Sequence, residues 1–257
     1  MSLPEFDHFE PDTVAKACSL LRTHGSRAKV IAGGTDLLNW MRDGLGEPDL
    51  LVDLKGIEEL RKMGDDAEKE LVIGSTTTLS DLVRSPLARE RAPLLVEAAM
   101  TVAAPPLQRT GTIGGNVCLN TRCFFYNQSK AWRSSRPPCF KTGGSLCHVV
   151  KGGDRCYSVF QADGACALVA LNARVRLVEE GGERTLPLSR FYTGKGEDPN
   201  VLRPTEILKE ILIPSGGNWK GSYEKLSLRA SLDFPQIGVA VALRFADDRR
   251  IGRVTFN

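Results

Sequence analysis

Nowhere in these 257 residues does an apolar run approach the roughly 18 residues that a membrane-spanning helix requires. The amino-terminal stretch MSLPEFDHFEP is acidic and has no apolar core of the kind that defines a secretory leader, so a soluble, cytoplasmic protein with no membrane association is expected. Internal repeats and long low-complexity linkers are missing as well. There is no G-x-G-x-x-G turn, which leaves a Rossmann nucleotide site unsupported. There is no close C-x-x-C pair, the spacing typical of zinc fingers and bacterial ferredoxins. No acid–base or nucleophile constellation stands out, so no catalytic residue is expected in this chain.

What is present is globular. Apolar content of 42% and charged content of 25% are ordinary for a folded domain, and the length suffices for one large core or two to three small ones. The net charge of +3 is unevenly placed: residues 117–162 carry +6 and the remainder −3. Within that basic segment, residues 123–156 hold four of the seven cysteines, Cys123, Cys139, Cys147 and Cys156, and the segment has the look of an insertion into another scaffold. In a reducing compartment such a cluster points to metal binding rather than disulfides. Four soft thiolates suit zinc or an iron–sulfur cluster, so spacing leaves the metal open; His148, beside Cys147, could replace one thiolate on zinc but fits a surface or supporting histidine better. Cys18, Cys118 and Cys166 fit small buried residues better than ligands. Phe124, Phe125, Tyr126 and Trp132 are expected to form an apolar jacket around the metal.

Residues 11–24 predict a helix, begun by Pro11 and Asp12, with Val14, Ala17, Cys18 and Leu21 on one face and Gly25 ending it. AKVIAGGTDLL predicts a strand, a Gly-Gly turn and a helix starting at Thr35 or Asp36; DLLVDL predicts a second buried strand, making a small parallel α/β unit. KELVIGSTTTLSDLVRS predicts a strand and then a helix capped near Thr78, followed by a helix over APLLVEAAMTVA. Beyond residue 173 the pattern turns to strands, with a hairpin at Gly181–Gly182, then EILKEILIP, GSYEKLSLR, GVAVALRF and RIGRVTFN. The last looks unpaired, as if structure continued past Asn257. The expected fold class is α+β: a small parallel sheet and a larger mixed or antiparallel one. The divisions are drawn at 1–56, 57–216 (with the 117–162 insertion) and 217–257, the start of a truncated third domain.

Two glycine pairs, AGGTD at 32–36 and GTIGGN at 111–116, are candidates for a phosphate-binding backbone, because glycine lets N–H groups approach a ligand without a Cβ in the way. Similar pairs at 143, 152, 181 and 216 show that tight turns alone would explain them equally well. Together with ADGACALVALNARVRLV, EILKEILIP and SYEKLSLRASLDF, however, the two loops stand in an order that resembles the FAD-binding subunits of molybdenum hydroxylases, the xanthine and carbon monoxide dehydrogenase flavoproteins. The resemblance spans residues 4–244 apart from the insertion. It implies FAD held by Ala32, Gly33, Gly34, Thr35, Asp36 and Leu37 of the first loop, with Lys29 and Val30 on the strand entering it, and by Thr112, Gly114, Gly115 and Asn116 of the second. It further implies Asp163 on ribityl or ribose hydroxyls, Leu208 near the ring, and Lys225 as a cation that tunes the flavin. Gly33→Val and Gly115→Val are expected to leave a folded but flavin-poor protein.

The insertion, with RCFFYNQS, WR, CFKTGG, CHV and CY, resembles that of one branch of the family, the β subunits of 4-hydroxybenzoyl-CoA reductase. This implies a [4Fe–4S] cluster on Cys123, Cys139, Cys147 and Cys156. It also implies an electron-transfer role in removing the phenolic hydroxyl of 4-hydroxybenzoyl-CoA, and assembly with a molybdenum-cofactor subunit and a [2Fe–2S] subunit as a dimer of heterotrimers. The excess positive charge of the insertion, beyond what a cluster on four thiolates would neutralise, points to an acidic ferredoxin as the donor, with Arg133, Arg136 and Lys141 as its expected docking charges. The alternatives are an FAD subunit of another molybdenum hydroxylase, a flavoenzyme acting alone, and a zinc-stabilised nucleic-acid-binding protein. No nucleic-acid partner is expected on the leading reading.

Overall fold

The computed structural model describes residues 3–215, 219–229, 232–245 and 251–256; the boundary drawn at 216/217, the glycine pair there and Asn257 lie outside the described residues. Strands β1 (Asp7–Phe9), β2 (Ala28–Ile31) and β3 (Leu50–Asp53) make a parallel sheet of order β1-β3-β2. Strands β4 (Met63–Asp65), β5 (Leu71–Gly74), β6 (Arg174–Glu179), β7 (Gly182–Pro187) and β8 (Ile207–Ile213) make an antiparallel sheet of order β4-β5-β8-β6-β7. A third sheet, also antiparallel, joins β9 (Trp219–Leu226), β10 (Ile237–Phe245) and β11 (Ile251–Phe256). The expected pairing of a small parallel sheet with a larger antiparallel one is what forms.

The helices are α1 (Val14–His24), α2 (Leu37–Arg42), α3 (Leu79–Arg84), α4 (Pro86–Arg91), α5 (Pro93–Met100), α6 (Pro105–Gln108), α7 (Ile113–Val117), α8 (Lys130–Ser134), α9 (Asp163–Ala170) and α10 (Leu188–Phe191). The first begins three residues later than Pro11 because Thr13, in extended conformation, supplies the cap, its hydroxyl accepting from Lys16 N–H at 3.3 Å. Gly25 closes it at φ +57°, and Val14, Ala17, Cys18 and Leu21 form its buried face. Thr78 caps α3 by accepting from Asp81 N–H at 3.0 Å. β11 is not unpaired: it runs antiparallel to β10.

The main core lies between the five-stranded sheet and α3, α5 and α9, with Phe191 its largest fully buried side chain. A smaller core under α1 joins the parallel sheet to Leu60 and Ile207. α7 and α9 close the two ends of the insertion together. Gly164 N–H donates to Asn116 Oδ1 at 3.2 Å, and a Cβ on Gly164 would stand 2.6 Å from that oxygen. The scaffold therefore continues across the insertion without a break. No helix among the described residues is long and apolar enough to cross a membrane.

Candidate functional site: a glycine-lined cleft and a four-thiol pocket

A cleft of about 910 Å³ opens between the parallel sheet, α7, α9 and the β9–β10 loop. That is the upper end of the range for small-molecule sites, roughly 300–1,000 Å³, as a dinucleotide-sized ligand requires. Lys29, Val30 and every residue from Ala32 to Leu37 line it on one side, and Thr112, Gly114, Gly115 and Asn116 on another; Asp163 and Leu208 also face it.

The two loops do different work. In the first, no protein acceptor among the described residues takes the backbone N–H of Gly33, Gly34, Thr35 or Asp36, so four consecutive donors are available at the cleft wall. Gly34 sits at φ +67°, where a side chain is strained. In the second loop the donors are already committed. Ile113 N–H goes to Thr77 O, Gly114 N–H to Ser75 O, Asn116 N–H to Thr112 O, and Gly115 N–H to the Thr112 hydroxyl at 3.1 Å. Its glycines serve close packing: a Cβ on Gly114 would lie 2.6 Å from Ser75 O. Gly33 likewise brings the loops together, since a Cβ there would meet Thr110 O at 2.2 Å.

The cleft walls also hold polar atoms without protein partners. The buried atoms lacking a hydrogen bond include Trp40 Nε1, Ser75 Oγ, Thr76 Oγ1 and Arg122 Nε, and all four residues line the cleft. Buried polar groups are normally satisfied, so this cluster marks where a ligand rich in phosphate, hydroxyl and carbonyl groups fits. Ser75, Thr76, Trp40 and Arg122 are additional site residues that the glycine motifs did not indicate. The run STTT before a predicted helix was their one visible signal.

Asp163 and Lys225 belong to one buried network. The Asp163 carboxylate accepts from Tyr223 Oη at 2.6 Å and from Lys225 Nζ at 3.3 Å, and Lys225 also donates to Thr101 O at 2.9 Å. Burial, and then the carboxylate, hold the Tyr223 hydroxyl above its ordinary pKa. Lys225 does not line the cleft; it sits one residue behind it, its charge compensated, and only 10% of its side chain is exposed. Lys225→Met would strand a buried carboxylate, so a loss of about 3–5 kcal/mol in unfolding free energy is expected from urea titration. A loss below about 1 kcal/mol would contradict the lysine's role in compensating the buried carboxylate.

The insertion folds into a compact loop beside the cleft. Cys123, Cys139, Cys147 and Cys156, up to 33 residues apart in sequence, all line one small cavity with Phe125, Tyr126, Lys141 and His148. All four are free thiols. Among the described residues, one group of three His, Cys, Asp or Glu has ligand atoms all within 4.8 Å of each other: His8, Glu10 and Asp53. The four thiols are therefore spread more widely than a single tetrahedral zinc sets its sulfurs, about 3.8 Å apart from a Zn–S length near 2.3 Å. Burial raises the Cys147 thiol, but N–H groups of Val150, Val149 and Tyr157 outweigh it and hold the pKa below the usual value. Burial instead pushes Cys18 up to about 11 and Cys118 up to about 12, and Cys166 also upward.

The expected jacket is only partly present. Phe125 and Tyr126 line the thiol cavity and Trp132 packs behind Phe125 at 6.0 Å, whereas Phe124 is 77% exposed and points away. His148 stacks on Phe125 and its Nε2 lies 2.9 Å from Pro137 O, so it is occupied structurally. The expected docking charges also turn inward. Lys141 Nζ donates to Asn120 Oδ1 and Gly196 O, at 3.0 and 2.9 Å, and to the Thr121 hydroxyl. Arg133 donates to Gly44 O at 2.6 Å, on the turn after α2. Of the three, Arg136 alone is exposed, lying over Trp132. The basic residues Lys141 and Arg133 stitch the insertion to its scaffold, because carbonyls there need donors that a loop without regular structure does not supply.

Comparison with known proteins agrees with this geometry. Residues 4–216 match the model of the FAD binding domain in molybdopterin dehydrogenase. The carbon monoxide dehydrogenase medium chain of Hydrogenophaga pseudoflava is 31% identical over 244 residues, 94% of this chain and 70% of the relative. The nicotinate dehydrogenase FAD-subunit of Eubacterium barkeri is 28% identical over 95% of this chain and 71% of its own length. The solved carbon monoxide dehydrogenase from Hydrogenophaga pseudoflava lacking the Mo-pyranopterin moiety superposes with a TM-score of 0.78 at 28% identity, covering all of this chain and 75% of that one. With its loops, cleft and sheets arranged as they are, the chain belongs to the FAD-binding domain family of molybdopterin dehydrogenases, the flavoprotein subunits of molybdenum hydroxylases.

Proposed function

We propose that this chain is the electron-transfer flavoprotein subunit of a molybdenum enzyme that converts 4-hydroxybenzoyl-CoA to benzoyl-CoA, and that it carries a [4Fe–4S] cluster on Cys123, Cys139, Cys147 and Cys156 beside its FAD. The observation that carries this reading is the convergence of four free thiols from an insertion onto one cavity next to the flavin cleft. An iron–sulfur cluster supplies one-electron exchange, and FAD exchanges electrons singly or in pairs. The chain's own residues hold and shield the two sites. The open N–H groups of residues 33–36 would hold the diphosphate, Asp163 and Asn116 would present oxygens to its hydroxyls, and Leu208 would face the ring from the cleft wall. Phe125 and Tyr126 keep water from the thiols.

The reaction consumes two electrons and two protons, the phenolic oxygen leaving as water. The electrons come from a reduced ferredoxin, and the chemistry takes place on a molybdenum-cofactor subunit reached through a [2Fe–2S] subunit, in a dimer of heterotrimers. A second reading, an FAD subunit of carbon monoxide or nicotinate dehydrogenase type, is favoured by the overall identity to those relatives. Stopped-flow spectroscopy of the assembled, pre-reduced enzyme separates them. Flavin should reoxidise on mixing with 4-hydroxybenzoyl-CoA, with benzoyl-CoA formed. Flavin reduction by carbon monoxide, nicotinate or xanthine, with no response to the acyl-CoA, would support the second reading.

A further inference from the structure

Arg122 stands at the neck of the insertion. Its N–H donates to Val159 O at 2.8 Å and Val159 N–H returns to Arg122 O at 2.9 Å, making the antiparallel bridge at which the loop leaves and rejoins the scaffold. Cys123 follows it directly, and Cys156 lies three residues before Val159. A group bound by both cysteines therefore ties the two strands of the neck together.

The Arg122 side chain runs the other way, into the flavin cleft. Its Nη2 donates to the Asp36 carboxylate, its guanidinium lies 4.3 Å from the centre of the Phe234 ring, and its buried Nε has no partner in the protein. Asp36 sits beside the four open N–H groups of the first glycine loop and does not use its side chain to cap α2. A diphosphate bound to those N–H groups would carry negative charge close to that carboxylate, and in a partly buried cleft the repulsion is weakly screened. The bridge at the neck holds the Arg122 backbone where its guanidinium reaches that carboxylate.

We propose that Arg122 couples the thiol site to the flavin cleft: a filled thiol site fixes the neck, keeps Arg122 on Asp36 and so strengthens FAD binding. This rests on the reading of the four cysteines as cluster ligands. Linkage makes the effect reciprocal, so bound FAD also steadies the thiol site.

The test is FAD affinity, measured by fluorescence titration of anaerobically purified chain before and after iron is removed with ferricyanide and a chelator. In the parent protein, iron removal should weaken FAD binding about tenfold, within the usual span of coupling between sites. Arg122→Gln should bind FAD about tenfold less tightly with iron in place, and iron removal should then add less than about twofold. Asp36→Asn removes the repulsion itself. With Arg122 intact and the helix cap undisturbed, its FAD affinity should change less than about twofold on iron removal, a result that does not depend on how Arg122→Gln folds. A full complement of iron and sulfide in a parent whose FAD affinity ignores iron removal would overturn the coupling alone, as would an equal loss in Asp36→Asn. Absence of iron and sulfide would overturn the reading of the cysteines and the coupling with it.

Discussion

Serine at any one of positions 123, 139, 147 or 156 should strip most of the iron and sulfide from the purified chain, while Cys18→Ser and Cys166→Ser should leave both intact. Serine is nearly the same size as cysteine but offers a hard, protonated hydroxyl in place of a soft thiolate, so it removes the ligand without opening a cavity. The contrast among the cysteines is physical. Cys18 lies on the buried face of α1 with its sulfur 3.7 Å from Val178 O, and Cys166 lies on α9; burial raises the pKa of both thiols. The other four face one cavity, where N–H groups aimed at Cys147 favour its anion. Elemental analysis with acid-labile sulfide decides it. Full iron in any of the four serine variants would remove that residue from the ligand set, and full iron in two of them would end the assignment.

Gly33→Ala and Gly114→Ala should each destabilise the fold and release FAD, whereas Gly182→Ala should do neither. An added methyl at Gly33 would stand 2.2 Å from Thr110 O, and at Gly114 2.6 Å from Ser75 O, so backbone has to move in both cases. Overpacking of this kind costs about 1–3 kcal/mol and separates the loops that form the cleft. Gly182 has nothing within 4 Å of its added methyl, and its substitution should stay within about 0.5 kcal/mol. This changes the sequence-based expectation for Gly33→Val: the first obstacle is the protein's own second loop, and a loss of stability should accompany the loss of flavin. Gly115 is the cleaner probe of the ligand, because its added methyl meets only the Thr112 hydroxyl, at 3.1 Å. Thermal melting and bound-flavin absorbance measure both effects, and a Gly33→Ala protein of parental stability that retains FAD would contradict the packing of the two loops.

Local signals in the sequence account for most of the elements. The hairpin at Gly181–Gly182, the cap at Thr78, and the strand–turn–helix at 28–42 follow from turn chemistry and periodicity that tertiary contacts merely extend. β1 escaped because Asp7–Phe9 is short and exposed, with nothing in its pattern to mark pairing with β3. The run ADGACALVAL is apolar nearly throughout, so no period distinguishes the buried helix α9 from a buried strand. The site divides in the same way. The two glycine loops are legible through their order with the other motifs, whereas Ser75 and Thr76 show only the STTT run before α3, and Arg122 comes from the neck of the insertion with no motif of its own. The charges of the insertion were legible as a sum and not as directions. Lys141 and Arg133 turn inward to carbonyls, a choice set by where unpaired acceptors lie in the folded loop.

The most direct test of the account is cofactor analysis of anaerobically purified chain: iron, acid-labile sulfide, zinc and flavin per polypeptide, with Mössbauer spectroscopy of ⁵⁷Fe-enriched protein. A four-iron, four-sulfide cluster and one FAD, with a Mössbauer signature of four iron sites sharing sulfide, is the predicted result. Stoichiometric zinc without sulfide at the four thiols would contradict it.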